Sequence, residues 1–552
     1  MPRRRPMDGD RVIAKILKLE GVEWIACFPH QSLIDAVAKE GIRPIICRQE
    51  RAGVNMADGF SRINAGRKIG VFAMQKGPGA ENAFGGVAQA FADSVPMLLL
   101  PGGSERNRIG VHPGFDAIDH YKGITKWTGH INMVERIPEM MRRAFSQMKH
   151  GRHGPVVLEL PGDVAAEEYP GDTVPYTPVR ELRSAADADD VRDMVTALLK
   201  AKAPVINAGQ GILYAQATDE LVEFAELINI PVLTTLAGKS CFPEDHRLSL
   251  GTGGHTSTLM VDRFLKKTDF VLGMGTSMTI STFNAPMPSG VVLAHSTSCA
   301  DDLNKDYNPD FGAIGDSKLV LRQMIDEVKR QIGEHGRGDV YGVVDEIRRL
   351  SDEFMAEWGP RLASDEIPIS PYRVISELAN AVDVSNTIIT HDSGYPRDQM
   401  VPFWKAVSPN GYIGWGKSTQ LGYGLGLALG AKLAAPEKTV INVMGDAAFG
   451  MSGLDIETAA RSEIGILTVI LNNSIMTHYS SNMPYASEHY ASNRMSGDYT
   501  KIAEGLGAHA QRVDTPDQIG PAIRAALETT KSNMPAVIEM ITKEEEMVPS
   551  FW

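Results

Sequence analysis

A chain of 552 residues is too long for one hydrophobic core and points to roughly two to four domains. With 43% hydrophobic and 22% charged residues it has the make-up of an ordinary globular protein, and its net charge of −13 argues against general nucleic-acid binding, which wants a basic face. No apolar run approaches the roughly 20 residues of a membrane helix, and Arg3 to Arg5 are not followed by an apolar signal core. The four cysteines (Cys27, Cys47, Cys241, Cys299) lack metal or redox spacing, so a reduced, cytoplasmic protein is expected, without membrane or nucleic-acid partners.

Residues 1–170 alternate short apolar runs with helical stretches. Trp24 to Pro29, Pro44 to Cys47, Ile69 to Met74, Val95 to Leu100 and Val156 to Leu160 read as strands, the pattern of a doubly wound parallel sheet. Glu50 follows the second run in Arg48-Gln49-Glu50-Arg51-Ala52, where in isolation a glutamate beside two arginines is half of a surface ion pair. Downstream stand Ala57-Asp58-Gly59-Phe60-Ser61-Arg62, Gly77-Pro78-Gly79-Ala80-Glu81-Asn82, Ile124-Thr125-Lys126 and Gly154-Pro155-Val156-Val157.

Between about 165 and 190 the chain turns polar and rich in Pro and Gly, which reads as a linker. A second alternating region spans 190–335, with strands including Pro204 to Asn207, Pro231 to Thr234, Phe270 to Leu272 and Val291 to Leu293. Gly209-Gln210-Gly211 and Gly273-Met274-Gly275 look like nucleotide turns, but a lone Gly-x-Gly also fits any tight strand-to-helix corner. No Gly-x-Gly-x-x-Gly with a downstream acid follows a first strand, so a nicotinamide-dependent dehydrogenase lacks support. Residues 335–365 are charged and helical in pattern.

The third region, 365–552, contains the stretch around which the others are organised. Ile388 to Thr390 is a strand that leads into His391-Asp392-Ser393-Gly394, and Gly416-Lys417-Ser418-Thr419-Gln420-Leu421-Gly422-Tyr423-Gly424 opens a small-residue helix. Thr439 to Asn473 then reads as a buried strand (Val440 to Met444), a small-residue turn, a helix, a second buried strand (Ile466 to Leu471) and two asparagines. Strands joined by one helix run parallel, so their carboxyl ends share an edge, and Asp446 and Asn473 meet there although they lie 27 residues apart. Two side-chain oxygens beside Gly445, Ala447 and Ala448 suit a hard cation bridged to a diphosphate, since small residues let backbone N–H groups approach phosphate oxygens.

That stretch resembles the thiamine-diphosphate motif, Gly-Asp-Gly followed after a spacer by Asn-Asn, and departs from it at Ala447, where the motif has its second glycine. The first region, in its order of motifs, is similar to the pyrimidine-binding domain of the acetolactate synthase and pyruvate oxidase group. The resemblance implies an α/β chain of three doubly wound parallel-sheet domains: pyrimidine-binding (1–170), central (190–335) and diphosphate-binding (365–552). It implies thiamine diphosphate and Mg2+ as cofactors, with Asp446, Asn473 and the Ile475 carbonyl on the metal. Glu50 is implied as the catalytic carboxylate, hydrogen-bonded to a ring nitrogen of the aminopyrimidine and doing acid–base work relayed through the cofactor. Leu421 is implied as the apolar wedge between the two cofactor rings, with the Thr419 carbonyl facing the aminopyrimidine; Gln420, Ser393, Gly394, Gly445, Ala447, Ala448 and Met476 complete the expected cofactor contacts.

The central region is similar to the domain that carries FAD in those relatives. However, Thr276-Ser277-Met278-Thr279-Ile280-Ser281 and His295-Ser296-Thr297-Ser298 replace the residues expected around a flavin, so a central domain without FAD is expected. Substrate specificity falls to other groups: His30 and Gln31 after the first strand, His112, Phe115 and Asp116 on the loop after Leu100, and His478 beyond the asparagines. Glu488 matches a region where some 2-hydroxyacyl-CoA lyases of the family carry an acid–base glutamate.

The expected reaction is decarboxylation of a 2-oxo acid with transfer to a second carbonyl. Lysis of a 2-hydroxyacyl-CoA, with a CoA thioester as substrate, is the alternative. A silent binding subunit is a third reading, against which the retention of Glu50, Asp446 and Asn473 stands. The family builds its site between the first domain of one chain and the third of another, so a homodimer or homotetramer is expected. The terminal Met547 to Trp552 is left open between a loose end and a docked one.

Overall fold

The computed structural model describes residues 7–339 and 342–552. Three sheets follow one another along the chain, each of six parallel strands. The first contains β1 (Trp24–Phe28), β2 (Arg43–Ile46), β3 (Gly70–Met74), β4 (Met97–Gly103), β5 (Trp127–His130) and β6 (Pro155–Pro161), in the order β2-β1-β3-β4-β6-β5. The second contains β7 (Pro204–Ala208), β8 (Val232–Thr235), β9 (Ser249–Gly253), β10 (Phe270–Met274), β11 (Val292–Thr297) and β12 (Phe311–Ile314), in the order β12-β11-β10-β7-β8-β9. The third contains β13 (Thr387–His391), β14 (Tyr412–Ile413), β15 (Thr439–Gly445), β16 (Leu467–Asn472), β17 (His509–Val513) and β18 (Ala536–Ile541), in the order β14-β13-β15-β16-β18-β17.

The inner strands are buried along their whole length, as β3, β6, β7, β10 and β16 show, which is why they read as unbroken apolar runs. Edge strands carry the weaker signals. Trp127–His130 and His509–Val513 are short, half-exposed and partly polar, and the sequence pattern passes over both, along with β9, β12, the two-residue β14 and the buried inner strand β18. The charged stretch after 335 contains the helix Val343–Leu362, and no strand or helix intervenes between Ala166 and Ala188, where a linker was expected.

Helix Tyr423–Ala434 is apolar on all sides and buried through its first nine residues, as expected of a helix covered all round. On one side it packs on β13 and β15, and on the other against helix Glu50–Ile63 of the first domain. Glycines permit the approach: a Cβ on Gly59 would lie 2.2 Å from Leu427 O, and one on Gly430 would lie 2.0 Å from Met56 O. A buried ion network seals the same joint. Arg62 donates to Asp58 at 2.6 Å, to Asp93 at 2.9 Å and to the Gly414 carbonyl at 2.8 Å. Residues from the amino- and carboxyl-terminal domains therefore share one continuous core.

The end of the chain is docked. The Met547 carbonyl accepts from the Tyr372 hydroxyl, Ser257 N donates to the Pro549 carbonyl at 2.9 Å, and the Trp552 indole donates to Gly254 O at 3.1 Å. The last ten residues thus cross from the third domain to the second. No helix among the described residues is long and apolar enough to cross a membrane.

Candidate active site

β15 and β16 pair in parallel with Gly445 opposite Leu471, so the residues that follow each strand emerge side by side. Asp446 is the first residue of helix Asp446–Ser452, and Asn473 is the first beyond β16, each one step outside its strand. Asp446 is buried; its Oδ1 accepts from Ala447 N at 2.7 Å and its Oδ2 from Ser474 N at 2.9 Å. Burial holds its carboxyl above the usual range, against the pull of those N–H donors, and a cation would relieve that cost. Asn473 Oδ1 accepts from Ile475 N at 3.0 Å, and its amide donates to Thr477 Oγ1. The Ile475 carbonyl accepts no hydrogen bond among the described residues. Asp446, Asn473 and Ile475 thus offer oxygen donors of the kind that a hard divalent cation takes. Ala447 lies in the helix with negative φ, so its methyl imposes no backbone strain.

Three groups hold this corner that the sequence reading did not single out. Asn472, the first of the two asparagines, faces away from the cation set: its amide donates to the fully buried Glu539 at 2.7 Å, and its Oδ1 accepts from Ser474 N and Oγ. Asp392 is buried beneath the neighbouring turn. Its Oδ1 accepts from Ser393 N at 2.7 Å and Gly422 N at 2.9 Å, and its Oδ2 from Gly424 N at 2.8 Å. One carboxylate therefore ties the Ser393-Gly394 turn to the segment carrying Thr419, Gln420 and Leu421, while burial pushes it up to about 6. An acidic residue directly after an apolar strand and before Ser-Gly is the signal that marks it.

Glu50 opens helix Glu50–Ile63 at the carboxyl end of β2 and is 5% exposed. Its hydrogen-bond partner is Asn82 Nδ2, at 3.2 Å, from helix Pro78–Ala92. No hydrogen bond or ion pair among the described residues joins Glu50 to Asp446 or Asn473 of the same chain. Its neighbours Arg48 and Arg51 contact the third domain at Asp455 and Met451 instead.

The expected substrate residues fall into three places. His30 and Gln31 line a cavity of about 370 Å³ on the carboxyl edge of the first sheet, together with Gln75, Lys76 and Gly102. Burial pushes the His30 imidazole down to about 4, leaving it neutral at physiological pH. His112 is exposed, Phe115 stacks on His120 at 4.5 Å, and Asp116 caps helix Ala117–Tyr121 by accepting from Asp119 N. Asp116 thus has a local structural task. Met476 and His478 begin an exposed segment, and His478 is held by the tail: its backbone N–H donates to Glu544, and its ring lies 3.5 Å from Glu546. Glu488 stands on helix Pro484–Tyr490, exposed beside Tyr485 and Tyr490, without a hydrogen bond or ion pair among the described residues.

Three family models match the chain: the amino-terminal thiamine pyrophosphate binding domain over residues 7–123, the thiamine pyrophosphate enzyme central domain over 191–324, and the carboxyl-terminal thiamine pyrophosphate binding domain over 392–540. A protein named as a probable acetolactate synthase large subunit from Methanocaldococcus jannaschii is 31% identical over 98% of this chain and 93% of its own length. This chain belongs to the thiamine-diphosphate-dependent enzyme family, in its acetolactate synthase and pyruvate oxidase group. The acetolactate synthase isozyme 3 large subunit of Escherichia coli is 27% identical over 98% of the chain and 96% of its own length. A glyoxylate carboligase of another Escherichia coli strain is 29% identical over 95% of the chain and 91% of its own length.

Proposed function

We propose that this enzyme decarboxylates a 2-oxo acid and transfers the remaining fragment to a second carbonyl compound, as its acetolactate synthase and glyoxylate carboligase relatives suggest by name. The observation that carries the reading is the retention, in buried and preorganised form, of both halves of the chemistry. One is the carboxylate of Glu50, held by Asn82; the other is the oxygen set of Asp446, Asn473 and Ile475. Bound thiamine diphosphate would supply a carbon nucleophile for carbonyl groups and a sink for the electron pair left behind when carbon dioxide departs. The chain's part is to hold it. Asp446, Asn473 and the Ile475 carbonyl would bind Mg2+, Ser393, Gly394, Gly445, Ala447, Ala448 and Met476 would surround the diphosphate, and Thr419, Gln420 and Leu421 would set the rings. Glu50 would exchange a proton with the aminopyrimidine ring nitrogen.

Because Glu50 does not meet the Asp446 corner within one chain, the complete site is assigned to two copies, the first domain of one facing the third domain of its partner. His30 and Gln31 face the donor and acceptor, in a cavity of the size range of small-molecule sites. A flavin has no assigned place. The cavity that Gly211 and Gly275 to Ser277 line measures about 180 Å³ and is shared with the flanking domains through Asp93, Arg152 and Lys417, and the Lys417 to Ser277 hydrogen bond and the Arg152 to Asp302 ion pair lie along it.

The test is mass spectrometry of acid-quenched thiamine diphosphate adducts after mixing enzyme, Mg2+ and cofactor with a panel of 2-oxo acids and 2-hydroxyacyl-CoAs. An adduct from a 2-oxo acid with release of carbon dioxide supports the proposal, and one from an acyl-CoA alone replaces it with the lyase reading. No adduct despite bound cofactor favours a silent relative.

A further inference from the structure

Segment 416–421, which bears Thr419 and Leu421, has neither helix nor strand of its own. It is shaped by what it is tied to. Gly416 N donates to Asp93 Oδ2 at 3.0 Å and Lys417 N to Asp93 Oδ1 at 3.1 Å, and Gln420 N makes a longer bond of 3.4 Å to Gln89 Oε1. Gln89 and Asp93 sit one turn apart at the end of helix Pro78–Ala92, and the Gln89 amide donates to Asp93 Oδ2 at 3.1 Å. Both side chains are buried, Gln89 completely. The Asp93 charge is met by Arg62, itself buried and braced by Asp58. A carboxylate that gathers two backbone N–H groups, an amide and a guanidinium in this way fixes the path of the chain that supplies those N–H groups. The far end of the same helix carries Asn82, the partner of Glu50. A single rigid element thus holds the catalytic carboxylate at one end and the ring-setting segment at the other.

We propose that Asp93 and Gln89 are positioning residues for cofactor binding: they keep segment 416–421 in the conformation that presents Thr419 and Leu421 to thiamine diphosphate. The inference rests on the assignment of those two residues to the cofactor. Neither Asp93 nor Gln89 touches reacting atoms. If the segment leaves its docked path, the binding-competent fraction of the protein falls and the apparent cofactor affinity falls with it, whereas saturating cofactor restores the docked form.

The test uses full-length enzyme with Gln89→Leu, which removes the acceptor for Gln420 N, and Asp93→Asn, which exchanges one acceptor oxygen for a donor. Thiamine diphosphate is titrated at fixed Mg2+, reading both turnover and tryptophan emission, because Trp415 is buried immediately before Gly416. The expected result is a rise of about tenfold in the apparent Kd for the cofactor, the size associated with losing a buried hydrogen bond. At saturating cofactor, kcat stays within about twofold, since the bound form is re-docked. Unchanged cofactor affinity with a lowered melting temperature makes the pair merely structural and overturns the inference. Should Asp93→Asn fail to fold, Gln89→Leu decides alone. A wild-type enzyme that does not bind thiamine diphosphate overturns the site assignment and this inference together. If wild type binds it and only Gln89→Leu shows no shift, this inference alone falls.

Discussion

Asn472 donates its side-chain amide to Glu539 Oε1 at 2.7 Å between the neighbouring strands β16 and β18, although neither side chain reaches the cation donors. The bond orients the Asn472 carbonyl so that it captures Ser474 and turns the chain back toward Asp446. Glu539→Leu leaves the Asn472 amide buried and unpaired, with an expected loss of about 1–3 kcal/mol in stability and a weaker Mg2+–thiamine diphosphate complex. Glu539→Gln keeps the Oε1 acceptor and is expected to stay close to wild type. Thermal unfolding and cofactor titration of the two variants measure the difference.

Glu50→Gln keeps the size of the side chain and can still pair with Asn82, but it removes the group that exchanges a proton with the cofactor. Turnover is expected to fall by about 10² to 10⁴, the usual contribution of a positioned acid–base group, with cofactor still bound. Steady-state kinetics beside a cofactor-binding assay check both halves of that statement.

Chelation should inactivate the enzyme and added Mg2+ should restore it. In Asp446→Ala, Ala447 N loses its acceptor and Ser474 N keeps only Asn472 Oδ1, while the charged ligand expected for the cation is gone, so millimolar Mg2+ should not restore activity. Activity assays before and after dialysis against chelator measure this directly.

Asp455 is buried, accepts from Arg48 N at 2.8 Å and from the Thr458 hydroxyl, and is pushed up to about 6 chiefly by burial. A carboxyl whose folded pKa exceeds its unfolded value binds more protons when folded, so its contribution to stability falls as pH rises from about 4 toward 6 and stays low above that. Asp455→Asn retains the accepting oxygen without the charge. It is expected to be more stable than wild type by about 1–3 kcal/mol at pH 7.5, and the gap should close as the pH drops below about 5. Melting curves across that range provide the check.

How far the sequence carried the fold depended on burial. Runs buried on both faces, such as Leu467 to Asn472, stand out by composition, although the buried Ala536–Ile541, with Glu539 in its middle, was passed over, and Trp127–His130 and His509–Val513 sit at sheet edges where half-wet, mixed residues leave little pattern. The approach of Asp446 to Asn473 was legible because it follows from parallel connectivity: two strand ends on one edge must meet. Asp93 and Glu539 were not legible. Their importance lies in whose backbone N–H or amide they accept, and Asp93 meets Gly416 across 323 residues of sequence that only the packed structure brings together. The exposed Glu488 shows the opposite effect, since a motif position alone does not supply surroundings.

The glycine-lined contact between helices Glu50–Ile63 and Tyr423–Ala434 has a mechanical consequence. With backbone oxygens of one helix where side chains of the other would begin, and with Arg62 bonded across the joint, hinge-bending between these domains would drive polar backbone atoms into contact or strand a buried charge. The surface chain beyond Ile475 lies outside this joint: there Tyr485 and Tyr490 are bare to solvent and the docked tail touches His478. The joint makes the first and third domains of one chain a single stiff unit.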